Sequence, residues 1–185
     1  MNNPCRKRRK SLGQTLIEFT FVGIPIIFIL ISIFEVSRGM WIYHTLAYSV
    51  KVGVRYASVH GVNCVNVPVS NPNDCTVNIG PATAPGAGTL PSIAYVIQQA
   101  AIGLDPTKTT LTFNANGTTT TCIMSACTAG GGAWPPDPNN AVGKPIRIDI
   151  TTPFNSAIAM LWPGAKVVRF ASGTLGASSQ DYVQF

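Results

Sequence analysis

Residues able to do chemistry are few in this 185-residue chain, and their spacing limits what they can do. His44 and His60 are the only imidazoles; they stand sixteen positions apart, and His60 precedes a glycine where a solvated helix cap is expected rather than a general base. Beyond residue 60 the acids are Asp74, Asp105, Asp137, Asp149 and Asp181, scattered without the close pair that glycoside hydrolysis requires. No G-x-S-x-G, H-E-x-x-H or phosphate-cradling loop is present, and Gly130-Gly131-Gly132 lacks a following Lys-Ser/Thr, so it reads as a linker. The expectation is a protein that is not an enzyme and takes no cofactor.

Cysteine offers more. Of five cysteines, Cys5 lies beside a basic run, while Cys64, Cys75, Cys122 and Cys127 all follow residue 60. Four thiols allow three pairings, and Cys64 with Cys75 plus Cys122 with Cys127 is favoured because each closes a short loop. The Cys122-x4-Cys127 spacing borders on that of zinc ligands, but no nearby histidine completes a set, so no metal is expected. Asn116-Gly117-Thr118 has the form of a glycosylation acceptor, a short match of little weight here.

Charge settles the membrane question. The chain has 13 Lys and Arg against 7 Asp and Glu, yet Arg6, Lys7, Arg8, Arg9 and Lys10 form one run. After residue 60, Lys108, Lys144, Arg147, Lys166 and Arg169 balance the five aspartates, so no nucleic-acid footprint remains. Leu16 to Phe34 follows the run with one charge, Glu18, and at about 1.5 Å per residue it crosses a hydrocarbon layer of about 30 Å. A cleaved secretory signal has a shorter apolar region and a small-residue cleavage site, which is lacking after Phe34. The basic run should stay cytoplasmic, with residues after about 36 on the outer side. Pro25 should kink or locally melt the span about a turn before it. A carboxylate within the membrane costs on the order of 2.5 to 3.5 kcal/mol near the centre, so Glu18 is expected to have a partner or to sit near the interface.

A basic run, Gly13, four residues, then Glu18-Phe19 resembles the processing site of type IV pilin-like proteins. That resemblance implies a prepilin peptidase cut between Gly13 and Gln14, leaving the apolar helix as the new N-terminus with Glu18 fifth. The new ammonium on Gln14 would then be neutralised by a neighbouring subunit's Glu18 in an apolar bundle. Phe34-Glu35-Val36-Ser37-Arg38 and Val50-Lys51-Val52-Gly53-Val54-Arg55-Tyr56-Ala57 are similar to the corresponding segments of the TadE-like family, pilin-like proteins of the tight-adherence (Flp) pilus. Val36 and Ser37 after Glu35, and Val52 where an acid is common, depart from the pattern and weaken transfer of a role for a second carboxylate. The likeness covers about residues 6 to 60. It implies a pseudopilin or minor pilin, with the prepilin peptidase, other pilin-like subunits, the assembly platform and membrane lipid as partners. It also implies a bacterial inner membrane, with the C-terminal domain periplasmic or carried into a surface pilus. Loss of the leader would leave 8 basic against 7 acidic side chains, so the basicity is an insertion signal rather than a binding surface.

The elements that must position these residues follow from periodicity. Val36, Met40, Tyr43, Ala47, Val50, Val54 and Ala57 form a heptad-like seam, with His44, Tyr48, Lys51 and Arg55 on another face. The span is therefore expected to continue as one rod, with Gly53 and then His60-Gly61 marking its end. Pro91 opens an amphipathic helix bearing Ile93, Val96, Ile97, Ala100, Ala101 and Leu104, closed by Asp105-Pro106. Strands are expected over Thr109–Asn114, Ile146–Thr151 and roughly Ala165–Leu175, with helical character from Phe154 to Trp162. Residues 61–90 and 115–144 read as punctuated loops. Trp134 in the second is expected to cover the sheet edge or, exposed, to touch a partner.

The organisation expected is a leader over 1–13, a transmembrane helix over 14–35, its extramembrane continuation over 36–60, and an α+β domain over 61–185 with a small antiparallel sheet. The competing reading is an uncleaved, signal-anchored periplasmic module that holds a ligand with the loop around Trp134.

Overall fold

The computed structural model describes residues 12–61, 77–86, 90–127, 133–155 and 172–184. The basic run Arg6–Lys10, Cys64, Cys75, the Gly130–Gly132 triplet and most of the segments from Phe154 to Trp162 and from Ala165 to Leu175 lie outside them. The chain divides into two compact units, Met1–Arg38 and Gly39–Phe185.

Helix α1 spans Leu12–Ser58 without interruption. Pro25 lies inside it, and the α-helical conformation continues through residues 21–25, so the expected melting there does not occur. Proline removes one amide donor, and the rest of the i to i−4 ladder carries the helix past it. Thr15–Ser58 is long and apolar enough to cross a membrane, and none of its most apolar window is buried. Two hydroxyls in the apolar stretch bond to their own helix: Thr20 Oγ1 donates to the Leu16 carbonyl and Ser32 Oγ to that of Phe28, each at 2.8 Å. Back-bonding of this kind removes the need for an outside partner where water is absent.

In the second unit Leu46, Ser49, Val50, Val54 and Ala57 are buried, together with Gly53. The expected seam is right at Val50, Val54 and Ala57 but wrong at its start, because Val36, Met40 and Tyr43 are exposed. Val36 and Met40 stand eighteen residues, five whole turns, before the buried Val54 and Ser58 and so project in the same directions; they differ from them in height along the helix, not in face. Gly53 does not end the rod. A Cβ there would come within 2.7 Å of Ile97 Cδ1, so the missing side chain lets α2 pack directly on α1.

Helix α2, Ile93–Ala100, is shorter than expected. Ser92 caps it by accepting a bond from the Tyr95 amide at 3.2 Å, and the first-turn amides of Ile93 and Ala94 reach the carbonyls of Asn78 and Ile79. Ala101 leaves helical geometry and Gly103 takes a positive φ of 84°, so the chain turns before Asp105-Pro106.

Four antiparallel strands follow: β1 Thr110–Ala115, β2 Thr118–Ile123, β3 Pro145–Asn155 and β4 Ser172–Tyr182, in the order β2-β1-β3-β4. The α+β class with a small antiparallel sheet is as expected. Alternation puts Leu111, Phe113 and Ala115 opposite Ile150, Ile148 and Ile146 on the buried face, while Asn114 and Thr112 face Arg147 and Asp149 on the other. Phe154 and Asn155 complete β3 instead of starting a helix, and β4 runs past Leu175 to Tyr182. The loop reading of 115–144 missed β2. Asn116 and Gly117 both adopt positive φ, 48° and 94°, which matches the right-handed twist of the hairpin they join. The Asn-Gly pair between threonine-rich runs is a hairpin signal that the glycosylation reading obscured.

Candidate assembly site on the N-terminal helix

Gly13 and Gln14 stand in the first turn of α1, and Glu18 and Phe19 follow one turn later. The first four amides of a helix lack intrahelical acceptors, and this first turn contains no acidic side chain. Gly13 is exposed, and a Cβ built on it meets nothing within 4 Å. Packing among the described residues therefore does not demand glycine here. Glu18 is exposed, and Phe19 is 77% exposed. Gln14 and Glu18 stand four positions apart, about 6 Å along the helix axis.

The remaining candidates do not converge on a reaction centre. His44 is exposed, with its ring 6.0 Å from that of Tyr43. His60 Nδ1 lies 2.6 Å from the Tyr56 carbonyl, while the Tyr56 hydroxyl donates to the Pro91 carbonyl at 2.8 Å, so these rings fasten the end of α1. Among the described residues no group of three or more His, Cys, Asp or Glu is placed to hold a metal. A groove of about 420 Å³ runs beside Tyr48, Tyr95 and Ile102, and a polar one of about 250 Å³ beside Asn114, Arg147 and Gln180. Neither of these two is lined by a carboxylate, imidazole or thiol. Asp105 accepts bonds from the Thr107 hydroxyl and amide and pairs with Lys108 at 3.0 Å, and these contacts, the Thr107 hydroxyl first, hold its carboxyl down at about 2.

Cys122 and Cys127 form a disulfide with their Cα atoms 5.1 Å apart. It joins the end of β2 to a buried residue whose carbonyl lies against Gly80, where no side chain has room. Trp134 is neither at the sheet edge nor open to a partner. It is 3% exposed and meets Phe113 of β1 edge to face at 5.4 Å, and its amide donates to the Val77 carbonyl at 2.8 Å. The reading of 133–138 as a ligand loop loses its anchor, since the indole is core.

Against known families, residues 13–55 match the model for TadE-like protein. The match starts at Gly13 and ends within α1, before α2 and the sheet. No curated protein and no solved structure matches the chain.

Proposed function

We propose that this chain is a non-enzymatic pseudopilin or minor pilin of a tight-adherence pilus system, cut after Gly13 by a prepilin peptidase and assembled through α1. The observation that carries the reading is the TadE-like match over residues 13–55, which begins at the glycine of the Gly13-to-Glu18 spacing. The family concerns the Tad pilus, and an apolar helix with exposed side chains from Leu16 to Phe34 supports a membrane anchor. In this reading the leader is cytoplasmic and the second unit periplasmic. The other pilin-like subunits and the assembly platform meet the chain along the helix.

Cleavage leaves an ammonium on Gln14, and transfer of an isolated charge into an apolar bundle is costly unless a carboxylate meets it. Glu18 of a neighbouring subunit supplies that carboxylate and fixes the axial register. Gly13→Ala tests the cut: the variant should accumulate at the precursor mass while wild type is shorter by residues 1–13. Because a methyl group at position 13 meets nothing within 4 Å among the described residues, retention of the precursor would report peptidase recognition rather than misfolding. Equal masses for wild type and variant refute processing. Glu18→Ala should insert and be cut normally yet leave cells with few or no pili; normal piliation removes the pairing role.

A further inference from the structure

The exposed apolar surface of α1 outlasts its uninterrupted apolar run. Beyond Phe34, Met40 is 52%, Trp41 50% and Tyr43 46% exposed. At 100° per residue, positions 40, 41, 43, 44 and 48 fall in an arc of about 160°, which is exposed over this stretch although the buried Val50 and Val54, farther along α1, project within about 20° of Tyr43.

Trp and Tyr combine an apolar ring with a polar tip, the combination enriched where hydrocarbon meets headgroups. Helical rise from Leu16 to Tyr43 is about 40 Å, the thickness of a bilayer with its headgroup layers, whereas the rise to Phe34 is only about 27 Å, close to the hydrocarbon alone.

We propose that Met40, Trp41 and Tyr43 form an interfacial belt seated in the phospholipid headgroups of the leaflet opposite the leader, which sets how deeply α1 sits. The indole N–H and phenol O–H donate to phosphate or ester oxygens, and the Met40 side chain and the ring faces meet the upper acyl chains. The belt lies outside residues 14–35, and it rests on the membrane-anchor reading.

The test uses the full chain in phosphatidylethanolamine and phosphatidylglycerol vesicles carrying a quencher either at the headgroup or at the acyl terminus. The chain has three tryptophans, so Trp41→Phe isolates the signal of residue 41 by difference from wild type. Headgroup quencher should reduce the Trp41 component several-fold more than the terminal quencher, and Met40→Ser/Tyr43→Ser should diminish that contrast. Alkaline carbonate extraction separates the two layers of argument. Protein released by carbonate overturns the anchor and the belt with it. Inserted protein whose Trp41 is quenched equally by both probes, or by neither, overturns the belt alone, as does a Trp41 emission that shifts with protein-to-lipid ratio because a second copy covers it.

Discussion

The two ends of α1 are made from similar residues and meet opposite surroundings. Between Leu16 and Phe34 the apolar side chains are exposed, whereas Leu46, Val50, Val54 and Ala57, on the same helix, are almost wholly enclosed. In the first stretch the Thr20 and Ser32 hydroxyls bond to carbonyls of their own helix, so at those positions the surface can face an apolar surrounding. In the second, the helix lacks a side chain at Gly53 and is fitted to Ile97 and Ile148. Hydrophobicity alone does not tell these regions apart. What differs is shape: the enclosed stretch has one packed stripe with a gap for a neighbour, and the exposed stretch is apolar all round.

The sharpest way to break this contrast is to remove an equal ring from each side. Phe113→Ala empties a fully enclosed position against Trp134 and should destabilise the second unit by about 3 to 5 kcal/mol in denaturant unfolding of the detergent-solubilised chain. Phe28→Ala, on the exposed stretch, should leave that transition unmoved. If both variants unfold alike, the two regions do not differ in the manner described. A smaller effect is expected from the disulfide. Replacing Cys122 and Cys127 together by Ala should cost about 2 kcal/mol, since the loop closed is short, and should not alter carbonate-resistant insertion.

The smallest effect is electrostatic and confined to the second unit. Asp105 has its folded pKa lowered to about 2 from an ordinary 3.8 by the Thr107 hydroxyl, the bond with Lys108 and the Thr107 amide. A depressed carboxyl stabilises the folded state above the unfolded pKa, and that contribution fades as pH falls from about 3.8 through about 2. Carbon-detected NMR titration of the Asp105 carboxyl should show the low value in wild type and a rise toward the ordinary range in Thr107→Val. An unchanged titration would mean that the Thr107 hydroxyl is not the main cause.

The motif that nominates Gly13 and Glu18 was legible because it depends on local order: basic run, glycine, four residues, Glu-Phe, then apolar residues. The Ile146, Ile148 and Ile150 alternation was legible for the same reason, since a strand with one buried face has a period of two. The hairpin at Asn116-Gly117 was readable in principle, but β2 is composed largely of threonines without an alternating apolar pattern, so its pairing with β1 carries the assignment. Trp134 was misread because an indole among prolines and glycines gives no local sign of whether a sheet face lies beneath it.

Sequence by itself determined the apolar span, the basic run before it and the Gly13-to-Glu18 spacing, and it favoured the Cys122–Cys127 loop among three pairings, because each is a matter of residue order over a few turns or a short loop. Only tertiary structure decided which face of α1 is packed, why residue 53 lacks a side chain, and where Trp134 goes. Those depend on Ile97, Ile148, Phe113 and Val77, partners distant along the chain, and no local period encodes which of them arrives at a given side chain.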